Sequence, residues 1–172
     1  MHPTNSIKQQ LEKYHTESFG WAMCCCQRNE VDAEETLQMT YLKILEGKAR
    51  YAGRASFKTW LFAVIRNTAI DLQRKNQRRL KWLNGQKKIS EPACPPSHEL
   101  VMQREMEDII KEAMSRLSGR QKELLQLVFY HDMSIEEAAE VTGISVGSAR
   151  THYTRGKQKL KCWLGKRREE LL

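Results

Sequence analysis

A proline-rich segment divides the chain into two halves that each carry only helical patterns. Residues 84–98 contain Pro92, Pro95 and Pro96 but no periodic apolar stripe, and proline removes backbone donors that a helix or a strand would use. On both sides of this segment apolar residues recur at intervals of three and four, and strand-like alternation persists nowhere. The sequence therefore predicts an all-α protein of two small helical domains, residues 1–83 and 100–172, joined by a flexible linker at residues 84–99.

The first half carries three helical stripes. Spacing within residues 7–18 predicts an opening amphipathic helix, and residues 37–45 form a second stripe that Gly47 ends. Ser56 is a candidate N-cap for a third and longer helix, whose apolar stripe covers residues 57–72 and which then enters a basic run.

Composition excludes several classes of protein. The longest apolar runs contain only a few residues, whereas a membrane span needs ~20. The N-terminus lacks the basic-then-apolar pattern of a signal peptide. Five cysteines, three of them consecutive, do not form a disulfide framework in a chain without a secretion signal. We therefore expect a cytoplasmic location and no membrane insertion.

The net charge of +8 is distributed in blocks. Residues 66–88 hold eight basic residues and one acid, and residues 150–168 hold eight basic residues and no acid. An acidic block precedes each of them, at residues 30–35 and 99–112. Solvated helix faces would interleave charges of both signs, so the blocks favour two anion-binding surfaces.

Residues 133–160 carry the pattern of a helix-turn-helix. Ser134 and Glu137 have capping-box spacing, Gly143 suits a left-handed helix end, and Ser145 can cap a second helix. A polar, basic second helix fits the major groove of DNA, although an ordinary α-hairpin with a solvated second helix is the alternative. The candidate DNA-binding residues on the second helix are Ser148, Arg150, Thr151, His152, Thr154, Arg155 and Lys159.

The long helix of the first half places aromatic residues beside arginine and lysine. This combination suits unstacked bases and a phosphate backbone. Phe57 and Trp60 lie on the apolar stripe, so we predict that they belong to the core. Polar residues of this helix, such as Arg66 and Asn67, are the better candidates for binding.

Both patterns together resemble one family. The segment GRASFKTWLFAVIRNTAIDLQRK is similar to region 2, and the segment from residue 117 to residue 160 to region 4, of the extracytoplasmic-function sigma factors of bacterial RNA polymerase. The resemblance covers nearly all of residues 32–78 and 108–164, in the family's order and with a linker between them.

The resemblance implies that the chain directs core RNA polymerase to promoters. Domain 2 of the family binds the polymerase clamp and reads the −10 element, and domain 4 binds the flap and reads the −35 element. The implied clamp-binding residues are Glu34, Glu35, Gln38 and Leu42. The implied −10 residues are Arg54, Ser56, Arg66, Asn67, Arg74, Lys75 and Arg78, and the −35 residues are those of the second helix given above.

The family also implies an anti-sigma protein that holds the chain inactive. We expect such a partner to cover the acidic and apolar surface around Glu35, Gln38 and Leu42. The chain departs from the family pattern at Met39, where glutamate often follows glutamine, and at Gly119, where proline or glutamate is common. Gly156 occupies a usually helix-favouring position and should cost ~1 kcal/mol relative to alanine.

Two other classes of function stay open at this level. One is a stand-alone helix-turn-helix regulator whose first half dimerises or binds an effector, and the other is a metal or redox sensor built on the cysteines. Adjacent thiols at residues 24–26 point about 100° apart and favour buried small side chains. Cys94 and His98 lack a second ligand pair for zinc. The sequence carries no Walker loop, HExxH or nucleophile elbow, so we expect neither catalysis, nor a metal, nor a cofactor.

Overall fold

A computed structural model describes residues 3–83 and 112–170, and the side chains of residues 6–80 and 112–165. Helices and loops account for all of these residues, and the described part of the chain contains no strand. This confirms the all-α prediction. The first half forms helices α1 (Pro3–Lys13), α2 (His15–Cys25), α3 (Glu30–Leu45) and α4 (Phe57–Leu83).

The described part of the second half begins with helical residues 112–115 and continues with three further helices. These are α5 (Gly119–Leu125), α6 (Ile135–Thr142) and α7 (Val146–Glu170). Helix α5 runs directly into a π-helical turn, Gln126–Tyr130. The predicted linker and the predicted start of the second domain lie outside the described residues.

The predicted helix ends are confirmed where the structure describes them. Ser134 and Glu137 form the capping box of α6, and Gly143 ends that helix with a φ of 67°, a region that glycine enters without a Cβ penalty. The Ser145 hydroxyl accepts a hydrogen bond from the backbone N–H of Ser148 at 3.2 Å. The Ser56 hydroxyl accepts one from the backbone N–H of Thr59 at 3.1 Å.

The predicted opening helix is two helices. Its stripe faces the core as expected, because Leu11 and Ser18 are buried and Ile7 and Tyr14 are half-buried. The backbone of Tyr14, however, leaves the helical region at φ −97° and ψ 9° and separates α1 from α2. A regular stripe thus continues across a break in the helix.

The core of the first half is built by α2, α3 and α4, which pack pairwise against one another. Trp21 of α2 is fully buried, and its indole N–H donates to the carbonyl of Phe62 in α4 at 3.0 Å. The two rings stack with centroids 5.9 Å apart. Burial of two large aromatic side chains fixes how α2 crosses α4.

The two halves also pack on each other. Helix α4 contacts α6 of the helix-turn-helix, and α2 contacts the π-helical turn. One continuous cluster of buried apolar residues includes side chains from both halves, such as Phe62 of α4 and Leu127 of the π-helical turn. The halves therefore share a core, which the tethered-domain interpretation of the sequence did not predict.

Gly156 lies in α7 and is buried where α7 packs against α5. A Cβ at this position would lie 3.0 Å from Leu125 Cδ1 and 3.3 Å from Gln121 Cβ. The glycine that looks costly for helix formation thus allows α5 and α7 to approach closely. Gly165 in the same helix has no atom within 4 Å of its equivalent Cβ position.

We expect Gly165→Ala to raise the free energy of unfolding by ~0.5–1 kcal/mol, because alanine favours the helix and meets no neighbour. Gly156→Ala should raise the free energy of unfolding by less than Gly165→Ala does, or lower it, because the new methyl group must displace Leu125 and Gln121. Urea unfolding of the three chains measures the difference. Equal stabilisation by both substitutions would show that α5 and α7 are not held this closely.

Candidate nucleic-acid interface

The outer face of α7 presents polar and basic side chains to solvent. Ala149, one turn into the helix, is fully buried against the helix-turn-helix core, which fixes the rotation of α7. As a result, almost all of the predicted DNA-binding residues of this helix are exposed, and His152 is half-buried. The exposed ones are Ser148, Arg150, Thr151, Thr154, Arg155 and Lys159.

Arg150 is held within the motif. Its guanidinium donates to Glu136 Oε1 of α6 at 2.8 Å. A backbone hydrogen bond, together with this guanidinium, lowers the pKa of Glu136 below its ordinary value. Arg155 lies five residues further along α7, and its side chain is exposed. Of the two arginines, Arg155 is therefore the freer to bond a base edge or a phosphate.

The loop between α3 and α4 forms a second candidate surface. The Tyr51 hydroxyl donates to the carbonyl of Ala55 at 2.7 Å, and its ring lies 5.4 Å from that of Phe57 and 5.3 Å from that of Trp60. Phe57 and Trp60 are half-buried, so the core prediction for them holds only in part. The remaining predicted residues Arg54, Ser56, Asn67, Arg74, Lys75 and Arg78 are exposed.

Arg66 is the exception among the predicted DNA-binding residues of the first half. Its side chain is only 10% exposed and is paired with Glu123 of α5. The Nε atom lies 3.0 Å from Oε1, and Nη2 lies 3.3 Å from Oε2. In this arrangement Arg66 is occupied within the chain, and its contact with DNA stays a prediction.

Helix α3 exposes the residues predicted to bind polymerase. Its inner face is buried through Ala33, Leu37 and Ile44. On the opposite side lie the exposed Glu34, Glu35, Gln38 and Leu42, with the exposed apolar residues Val31 and Leu45 at the ends of the same stripe. An exposed face that mixes acidic and apolar side chains is suited to a protein partner.

Sequence reasoning missed the residues that join the two halves. The Lys58 ammonium donates to the carbonyl of His131 at 2.8 Å, and the Thr59 hydroxyl donates to Glu137 Oε1 at 3.2 Å. One feature of the sequence could have indicated this contact. Phe62 lies off the apolar stripe of α4 and makes that helix apolar on more than one face. A helix of this kind needs a second packing partner.

His131 lies buried between the halves, in an aromatic setting. Its ring centroid is 4.8 Å from that of Phe62 and 6.1 Å from that of Trp21, both in edge-to-face geometry. Its Nε2 atom is buried with no hydrogen-bond partner. Burial, followed by the nearby Lys58 ammonium, lowers the pKa of His131 from 6.5 to about 4, against smaller opposing effects of Glu17 and Asp132.

The three consecutive cysteines are buried or half-buried, as predicted for small apolar side chains. Burial raises the pKa of Cys24 to about 12, so this thiol is protonated at neutral pH. Cys26 contacts the Thr36 hydroxyl at 3.4 Å. Within residues 3–83 and 112–170 no group of three or more His, Cys, Asp or Glu is placed to hold a metal ion. In the same ranges no helix combines the length and apolarity that a membrane crossing requires.

These features define a helical protein with a helix-turn-helix and a second basic, aromatic surface. Comparison with known proteins assigns its family. Residues 11–79 match Sigma-70 region 2, and residues 107–160 match Sigma-70 region 4. The chain belongs to the extracytoplasmic-function sigma factors of RNA polymerase, and it directs the polymerase core to promoters. Family membership favours this function over a stand-alone regulator.

Relatives match over most of the chain. The RNA polymerase sigma factor CarQ of Myxococcus xanthus is 31% identical over 140 residues, which are 80% of this chain and 78% of CarQ. The ECF RNA polymerase sigma factor SigX of Bacillus subtilis is 29% identical over 166 residues, 94% of this chain and 84% of SigX.

Solved structures share the fold. The sigma factor RpoE in complex with the anti-sigma factor NepR, from Bartonella quintana, superposes with a TM-score of 0.71 at 25% identity and covers 93% of this chain and 97% of RpoE. CnrH in complex with the cytosolic domain of CnrY has a TM-score of 0.65 at 19% identity, with 94% and 89% of the two chains covered.

We expect the free energy of unfolding to fall as the pH drops from 6.5 towards 4. In this range His131 binds a proton in the unfolded chain but stays neutral in the folded chain. The stabilisation that neutral His131 provides is fully present above pH 6.5, and at most roughly 3 kcal/mol of it is lost on approaching pH 4. Urea unfolding at a series of pH values measures this slope. His131→Leu should flatten this slope. An unchanged slope in His131→Leu would contradict the buried position.

Proposed function

We propose that the exposed face of α7 reads the −35 element as duplex DNA. The observation that carries this proposal is the rotation of α7, since buried Ala149 and Gly156 turn the polar and basic side chains outward. Arg155 is exposed on this face, and a guanidinium can bond two acceptors of guanine in the major groove. Ser148, Thr151 and Thr154 can bond base edges or phosphates.

We expect Arg155→Ala to weaken binding of promoter DNA by the reconstituted polymerase by ~1–3 kcal/mol, as for the loss of a bidentate base contact. Discrimination at one −35 position should relax at the same time. Filter binding with matched and mutated −35 elements measures both effects. Lys161→Ala serves as the control, because it removes an exposed basic side chain of α7 that lies outside the proposed face. If Arg155→Ala retains the parent's affinity and selectivity, this face does not read the −35 element.

The loop before α4 and the exposed residues of α4 are the proposed surface for the −10 element. Tyr51, Phe57 and Trp60 form an aromatic cluster at the start of α4, and aromatic rings stack on unpaired bases. Asn67 offers a polar contact, and the exposed basic side chains further along α4 can bind the phosphate backbone. Arg66 joins this surface only when Glu123 no longer binds it.

The exposed stripe of α3 is the proposed site for the polymerase clamp, and the second domain is proposed to bind the flap. The stripe combines carboxylates at Glu34 and Glu35 with exposed apolar side chains at Leu42 and Leu45. Truncating an apolar anchor of an interface typically costs more than truncating a charge at its rim. RNA polymerase works in the cytoplasm, which is the proposed location of this chain.

We expect Leu42→Ala to weaken binding of the core polymerase by ~1–2 kcal/mol, because it removes apolar contact area from the stripe. Leu80→Ala is the matched control, since Leu80 is similarly exposed, 54% against 48% for Leu42, but lies at the far end of α4. If the two variants bind core polymerase with equal affinity in the absence of DNA, the clamp does not bind this stripe of α3.

We further propose an anti-sigma partner that covers the same stripe of α3. RpoE from Bartonella quintana, whose fold matches 93% of this chain, was solved in complex with the anti-sigma factor NepR. If one surface serves both partners, their binding is mutually exclusive.

A competition experiment tests this exclusion. Proteins retained by the tagged chain from cells in which it is silent are mixed with core polymerase and the labelled chain, and complexes are resolved by gel filtration. We expect the retained partner to leave as polymerase binds. A stable ternary complex with full transcription, or the absence of any retained partner, would contradict the proposal.

A further inference from the structure

An ion cluster closes one side of the contact between the halves. The Glu123 carboxylate accepts hydrogen bonds from Arg66 on α4 and from Arg120 one turn earlier on α5, the latter at 3.1 Å. The Arg120 guanidinium also donates to the carbonyl of Thr142 at 3.0 Å. Glu123 is only 19% exposed. Loss of one member would leave a buried charge without its partner.

A second set of contacts lies two turns earlier on α4. The Lys58 ammonium forms an ion pair with Glu17 of α2 and donates to the carbonyl of His131 in the second half. Beside it, the Thr59 hydroxyl donates to Glu137. Between the two sets, the His131 ring meets Phe62 edge to face. Polar contacts thus stand at both ends of an apolar centre.

These contacts use one face of α4. Thr59, Phe62 and Arg66 follow each other at intervals of three and four residues, all are buried, and all contact the second half. The neighbouring Asn67 and the outer face of α7 remain exposed, as does the stripe of α3. The closed arrangement therefore withholds Arg66 while the proposed polymerase and −35 surfaces stay accessible.

We propose that the free chain inhibits itself through this latch, in which Glu123 holds Arg66 and seats the second domain on α4. Opening transfers Arg66 from Glu123 to the −10 DNA, so the same guanidinium closes the chain in one state and binds the promoter in the other. The part of this proposal that concerns DNA rests on the proposed −10 surface, whereas the closed state rests on the contacts alone.

Small-angle X-ray scattering of the full chain tests the latch without DNA. Glu123→Arg sets a third arginine between Arg66 and Arg120, and we expect the radius of gyration to rise above that of the parent. Arg66→Glu combined with Glu123→Arg restores opposite charges and should return the compact value. Glu140→Arg makes the same charge change at an exposed site of α6 and should leave the radius unchanged. A Glu123→Arg chain as compact as the parent, or a double variant as expanded as the single one, overturns the latch.

Binding of −10 DNA by the isolated chain tests the consequence. We expect Glu123→Arg to bind roughly tenfold more tightly than Glu140→Arg, which carries equal net charge, because the binding-competent state is more populated. Expansion in scattering without this gain would keep the latch and reject Arg66 as a −10 contact. A gain without expansion would reject the latch itself. Circular dichroism confirms that each variant is folded.

Discussion

Helix α4 must be covered on two faces, and the rest of the structure depends on this constraint. One face packs against α2 and α3, where Trp21 stacks on Phe62 and bonds its carbonyl. The other packs against α6 and against His131, which follows the π-helical turn and whose buried ring meets Phe62 from the opposite half. A single side chain, Phe62, thus belongs to the core of the first domain and to the contact between domains. Burial of its large apolar surface ties α2 and α3 of the first half and the helix-turn-helix of the second half to the same helix.

Charge decides which surfaces this arrangement leaves open. Where their side chains are described, both basic blocks present basic residues to solvent, including Arg74, Lys75 and Arg155. Arg66 is withdrawn by Glu123, a carboxylate from the other half. A charged residue is seldom buried without a partner, because removing it from water is costly. The ion pair with Glu123 therefore allows α4 to carry the basic Arg66 side chain at a buried position.

Local features were predictable because short-range chemistry determines them. The capping box at Ser134, the left-handed Gly143 and the outward face of α7 follow from residues three or four apart. The contact between halves was not predictable, since Arg66 and Glu123 are 57 residues apart and nothing in their local patterns marks them as partners. Gly156 was misjudged for the same reason, because the benefit of a missing Cβ depends on Leu125 across the helix pair. The break at Tyr14 keeps the apolar stripe intact and so leaves no trace in the pattern.

Promoter-directed transcription is the activity that the proposed −10 and −35 surfaces would serve. Run-off transcription with purified core polymerase, this chain and a library of genomic fragments measures it most directly. We expect discrete transcripts that appear only when the chain is added, and that vanish when either the −10 or the −35 element of a selected fragment is scrambled. Core polymerase that gives the same transcripts with and without the chain, or a chain that binds those fragments tightly without polymerase, would contradict the account.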